Sequence, residues 1–371
     1  MSRVIKTALL ALSAALGVAF STTAVLAQDA AGGTGVLARI SSGNTDRDMY
    51  LLRIEGNKLF VRTPDAPAGT AIAVEIAKID RVRFKLDYSH AESFRATRAR
   101  AWSQAAGVII AACRPMIAFI ELPNNNVLDP ALDAAYDFWM LGIQIQRLQG
   151  EKGVEAARKA FGAAQYIYER AARATWSVQG EISGLRAILC QIQAGQSEQA
   201  AEALKNMREP QLGDAAYGLY WGARAEISLR QQAYREAVNE AVRAVVFDNK
   251  DGALFPEALF LSARCYEELL EIHRARDVYY EVARLFPNTE WGDMALSHLQ
   301  TLMRNGSSRE PEKVNIAKVF FGTDEDMNAV ADKFLATATS VPIKKSASTN
   351  AKEPGATNAP GDKAQGTGDK P

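Results

Sequence analysis

The sequence predicts a mainly α protein: a row of stacked helical hairpins, an α-solenoid, preceded by a small SH3-like or Sm-like β module and followed by a disordered tail. Three observations predict it. Ala157, Ala200, Ala237 and Ala275 recur about forty residues apart, each set in a helix-period apolar stripe, the size of one hairpin. Between residues 35 and 88 the period is two instead, the signature of strands with one wet face. Phe286-Pro287-Asn288-Thr289 then ends one helix and starts another, because proline cannot continue a helix and Asn-Thr supplies a turn and a cap.

The strand-like runs are 36–40, 50–54, 58–62, 72–76 and 79–84, punctuated by Gly43-Asn44, Glu55-Gly56-Asn57 and Pro64-Asp65-Ala66-Pro67. So many strands in so short a stretch have to curl, because a flat sheet of this size leaves its edges open. Arg39, Arg53, Arg62, Arg81 and Arg83 alternate along these runs, either as a basic face or as an ordinary solvated exterior.

Upstream of each repeating alanine a further helix is expected, at 135–148, 181–193, 214–230 and 256–270, with short joints at 149–153, 194–197, 231–233 and 271–273. Phe138, Leu141 and Gly142 of one first helix precede Ala157, Phe161 and Ala164 of its second; Ala263 and Tyr266 precede Ala275, Tyr279 and Pro287. Trp221 and Ala225 mark a third unit, the unit around Ala200 is degenerate, and a divergent copy spans about 90–121, interrupted by Pro115. Small side chains let paired helices approach closely, and aromatics fill the gaps between hairpins. A final helix near 291–302 opens the next hairpin or caps the stack.

These residues resemble the tetratricopeptide repeat, whose aromatic, Leu-Gly, Ala, aromatic, Ala and Pro positions they match. Leu285-Phe286-Pro287-Asn288-Thr289, followed by an aromatic, an acid and Ala-Leu, is especially similar to exported bacterial proteins of this class, the Tol-Pal coordinator and the lipoprotein of outer-membrane barrel assembly, over about 215–302. The chain departs from both, lacking the lipid-bearing Cys of the one and carrying a β module where the other has a coiled coil. The resemblance therefore implies the fold and a scaffold role, with a protein or peptide partner in a groove lined by the first helices. Its groove-facing positions would be Tyr136, Trp139, Ile143 and Arg147, then Leu219, Glu226 and Arg230, then Phe260, Arg264, Glu267 and Glu268.

Reaction chemistry does not surface. The 371 residues hold 43 Lys plus Arg and 43 Asp plus Glu, so no net field would gather nucleic acid. Cys113, Cys190 and Cys265 share no C-x-x-C spacing and read as buried apolar residues, although an oxidising compartment would allow a pair to bridge, and the sequence does not say which; His90, His273 and His298 are not spaced as zinc ligands. Gly32-Gly33-Thr34-Gly35 opens no helix, and Glu267 and Glu271 share a helix face instead of confronting each other across a cleft. No catalytic, cofactor-binding or metal residue is expected.

Arg3 and Lys6, an apolar stretch and Ala24-Val25-Leu26-Ala27 read as a cleaved secretory signal, the rival being an uncleaved membrane anchor. The expected divisions are signal 1–27, linker 28–34, β module 35–88, repeat domain 89–305, linker and terminal helix 306–336, and a disordered tail 337–371. The expected function is an exported, periplasmic or secreted scaffold for protein–protein interaction in the bacterial envelope. The alternatives are a self-associating envelope component, a homo-oligomer, and an enzyme acting on cell wall.

Overall fold

Two glycines start the hairpins of the sheet. In the computed structural model, which describes residues 35–247 and 254–304, β1 (Val36–Ser42) and β2 (Thr45–Glu55) pair antiparallel with Ser42 opposite Thr45, and β2 pairs β3 (Lys58–Arg62) with Glu55 opposite Lys58. The two-residue turns are Gly43-Asn44 and Gly56-Asn57, and their glycines take φ of +56° and +58°, a conformation that costs a side chain dearly. The expected signal, its linker, the segment 306–336 and the tail lie outside the described residues.

The sheet runs β4-β3-β2-β1-β5, with β4 at Ile72–Glu75 and β5 at Arg81–Phe84. A 3-10 turn, Ile76–Lys78, carries the chain from one edge to the other, so the last strand returns to pair with the first. The result is a five-stranded antiparallel sheet with β4 and β5 at its edges. Alternation then sorts the side chains: Ala38, Ile40, Leu51, Leu59, Val61, Val82 and Phe84 are buried, while Arg39, Arg53, Arg81 and Arg83 are exposed. The outer face is not simply basic. Arg39 binds Asp48 at 2.8 Å, Arg53 pairs with Glu55 and lies over the Phe60 ring, and Arg62 lies over Tyr50.

The edge of β5 is finished by side chains from the helical part. The Asn126 amide accepts from the Phe84 N–H at 2.8 Å and donates to the Phe84 carbonyl at 3.0 Å, imitating a neighbouring strand, and Asn124 donates to the Asp80 carbonyl. Phe84 also stacks on Phe119. Sheet and helices consequently share one apolar core.

The helices follow in hairpins: α1 (His90–Arg98) with α2 (Trp102–Cys113), α3 (Leu128–Gln149) with α4 (Val154–Ala171), and α5 (Gln179–Gln193) with α6 (Ser197–Lys205). Next come α7 (Tyr217–Arg230) with α8 (Tyr234–Phe247), α9 (Leu254–Glu268) with α10 (Ile272–Leu285), and α11 (Glu290–Arg304). Pro115 ends α2 as expected, and a 3-10 segment, Arg114–Phe119, replaces its last turns. The window Trp102–Phe119 is apolar enough to cross a bilayer, but half of it is buried in the protein, as a core helix requires. The degenerate unit around Ala200 has a second helix of only 9 residues.

Hairpin packing follows the residue types. A Cβ on Gly142 would lie 2.5 Å from the Phe161 ring, so glycine is what allows α3 to press against α4 there. Trp139 packs edge-on to Phe161, and Phe260 meets Tyr279 in the equivalent place of the last full hairpin. Ala157, Ala200, Ala237 and Ala275 are all buried to 1 % exposure or less. The three cysteines are buried free thiols, unbridged, and burial pushes their pKa values up, that of Cys113 to about 11.

Pro287 ends α10, and the Thr289 hydroxyl accepts from the Gly292 N–H at 3.1 Å to cap α11. A side chain at Gly292 would collide with the Phe286 carbonyl, so the turn is as tight as the sequence implies. α11 packs on α10 and α9, and it also touches α3, the first helix of the first full hairpin.

Candidate functional site

That return contact is an ion-pair cluster. Glu290, at the first turn of α11, has no exposed surface and accepts from Arg147 Nε at 2.7 Å, Arg100 Nε at 3.0 Å, Trp102 Nε1 at 3.3 Å and Gln144 Nε2 at 3.3 Å. Asp293, one turn on, takes Arg100 Nη2 at 2.8 Å. A buried carboxylate is tolerated only when so thoroughly paired and hydrogen-bonded.

Next to this clasp, α3, α5, α7, α9 and α11 converge on a pocket of about 400 Å³. Its ionisable lining is Arg230 on α7, Arg264, Glu267 and Glu268 on α9, and His298 on α11; Phe260 and Met294 supply apolar surface, and Gln146 and Gln193 supply amides. The side chains are joined in series. Arg230 donates to Gln193 at 3.1 Å and lies 3.8 Å from the buried Glu226, which Arg264 reaches at 3.3 Å. Glu267 accepts from the Tyr279 hydroxyl at 2.6 Å and meets His298 Nδ1 at 3.0 Å. The His298 contact, opposed by burial and aided by Tyr279, holds the Glu267 carboxyl below its ordinary range; burial, then Glu267 itself, raises the Tyr279 phenol.

Of the groove positions expected from sequence, the pocket gathers Arg230, Phe260, Arg264, Glu267 and Glu268. Glu226 lies beneath the two arginines, at 8 % exposure. Trp139, Ile143 and Leu219 are buried in the core, Arg147 belongs to the clasp on Glu290, and Tyr136 lines a different pocket beside α1. Sequence reasoning missed Gln146, Gln193, Met294 and His298 as lining residues. His298 follows Trp291 by seven residues, hence on one helix face, and both rings pack on Phe260, so the spacing carried the signal.

The arrangement offers partners for both signs of charge: guanidinium groups for a carboxylate, Glu267 and Glu268 for a cation, and the amides for a peptide backbone. Among the described residues no group of three or more His, Cys, Asp or Glu is placed to hold a metal ion.

The family model of the tetratricopeptide repeat matches residues 257–289, which are α9, α10 and the turn between them, ending at the Thr289 cap. The chain thus carries a tetratricopeptide repeat, a class of helical hairpin that serves as a scaffold for protein–protein interaction. Comparison with curated proteins and with solved structures returned no significant match.

Proposed function

We propose that this chain is an exported scaffold of the bacterial envelope, acting in the periplasm, and that the pocket between its first helices receives an extended segment of a partner protein bearing both an acidic and a basic side chain. The convergence of Arg230, Arg264, Glu267 and Glu268 on one pocket carries this reading. Three of these four residues, Arg264, Glu267 and Glu268, come from the repeat matched by the family model and lie beside Phe260, an apolar anchor of the pocket. The signal-like residues 1–27 support export, and the similarity of 215–302 to exported tetratricopeptide proteins supports an envelope role.

The test is capture of partners by the tagged protein from its own envelope fraction, repeated with Arg230→Glu and Arg264→Glu combined. Loss of a specific partner with an unchanged circular dichroism spectrum supports the pocket. Retention of every partner rejects it, and capture of the untagged chain itself favours self-association instead. Arg147 is left intact, because reversing it would break the clasp on Glu290 and confound binding with folding. N-terminal sequencing of the exported protein tests cleavage after Ala27.

A further inference from the structure

We propose that a second pocket, between α1 and α3, binds a single organic cation: an alkylammonium or guanidinium group of the kind a lysine or arginine side chain carries. The pocket holds about 550 Å³. Its rim is exposed at His90, Phe94 and Asp133, and its depth is formed by Ser93, Ile109 and Asp137. Asp137 is 3 % exposed, yet among the described residues its carboxylate has a single hydrogen bond, a long one, 3.3 Å from the Thr97 hydroxyl to Oδ1. Its other oxygen has no hydrogen-bond partner among the described residues. Contrast Glu290, equally buried and met by four donors. A carboxylate in that position either keeps its proton or takes a counter-charge from outside.

The rest of the lining selects what that counter-charge is. Among the described residues no lysine or arginine lines the pocket, and Asp133, one turn from Asp137, adds a second carboxylate nearer the mouth. Among the described lining residues His90 alone is a basic group; it sits at the rim, against Tyr88 and within electrostatic reach of Asp133. Tyr88, Phe94 and Tyr136 offer ring surface, which attracts cations, and Arg98 already stands over the Phe94 ring at 5.8 Å. Ile109 gives an alkyl stem apolar contact. A hard metal ion would want more oxygens than two carboxylates and no aromatic wall, so an organic cation fits the chemistry better.

The site is separate from the peptide pocket, so Arg230→Glu with Arg264→Glu should leave it intact. Calorimetric titration of the full chain at pH 8 with butylammonium, butylguanidinium and N-acetyl-lysine N-methylamide should show saturable millimolar or tighter binding, with 1-butanol as the neutral control showing none. Asp137→Asn should weaken binding at least about tenfold. Should that variant fail to fold, Phe94→Ala, a change at an exposed rim residue, takes its place with an expected loss of several fold. Tighter binding of the lysine derivative than of butylammonium assigns the cation to a protein partner, and the reverse order assigns it to a free amine. Absence of saturation with all three cations, butanol binding as well as they do, or unchanged affinity in the folded variant overturns the proposal.

Discussion

Arg147, near the end of α3, donates to Glu290, at the start of α11, across 143 residues of sequence and 2.7 Å of space. Through it the last described helix is tied to the first helix of the first full hairpin, with Arg100, Trp102 and Gln144 completing the donors. Replacing Glu290 by Ala takes the fully buried carboxylate away from two guanidinium groups that are each about three-quarters buried, leaving them Asp293, at 2.8 Å from Arg100 and 3.6 Å from Arg147. Breaking a buried pair in this way costs about 3–5 kcal/mol. Urea unfolding measures it, and a loss below about 1 kcal/mol would mean the clasp contributes little to stability.

Gly142 and Gly162 form a matched pair of probes on one hairpin. An added methyl at Gly142 meets the Phe161 ring at 2.5 Å, whereas at Gly162 it meets nothing within 4 Å. Gly142→Ala should therefore destabilise by about 1–3 kcal/mol through overpacking. Gly162→Ala should be neutral or stabilise by up to about 1 kcal/mol, since alanine is the better helix former. Thermal melts of the two variants should move in opposite directions or diverge by several degrees. Equal shifts would show that the close approach of α3 and α4 is not what glycine provides.

Local chemistry in the sequence predicted much of this fold, and long-range chemistry little. Gly43, Gly56, Pro115, Pro287 and Thr289 act on the backbone within a few residues of themselves, so turns, breaks and caps could be placed without coordinates. The alanine register carried the hairpins, because a small residue against an aromatic is a requirement between neighbours in sequence. Glu290 was invisible: an acid at a helix start is ordinarily a solvated, dipole-favoured residue, and nothing local says that two arginines far upstream will bury it. The same blindness put Arg147 among groove residues and left Asp137 unremarked in a run of helical polar positions. Which carboxylate is buried depends on how far the row of hairpins turns, and that is the sum of many small packing angles.

Asn126 tests whether a side chain can stand in for a strand. Its amide supplies the bonds to both the N–H and the carbonyl of Phe84 that a sixth strand would otherwise make. Asn126→Ala should cost about 1–3 kcal/mol, the range for leaving partly buried backbone groups unpaired. Hydrogen exchange gives the sharper readout: the Phe84 amide should exchange faster, with Val61 and Leu51 in the middle of the sheet unchanged. Unaltered protection at Phe84 would show that water replaces the amide without penalty.

Asp137 makes stability depend on pH with a sign opposite to that of a paired carboxylate. Burial, only partly relieved by the Thr97 hydrogen bond, pushes its carboxyl from 3.8 up to about 7. Between those values the unfolded chain has released the proton that the folded chain still holds, so this group lowers stability progressively as pH rises from about 4 to about 7 and no further above. A gap of about three pH units at about 1.4 kcal/mol each sets an upper limit near 4 kcal/mol. Asp133 is raised as well, by burial and then by the like charge of Asp129, and adds slope of the same sign. Asp137→Asn keeps the shape and removes the charge. It should melt higher than the native protein at pH 8, by several degrees, and match it near pH 4; if the two curves stay parallel from pH 4 to pH 8, Asp137 is neutralised by something other than its own proton.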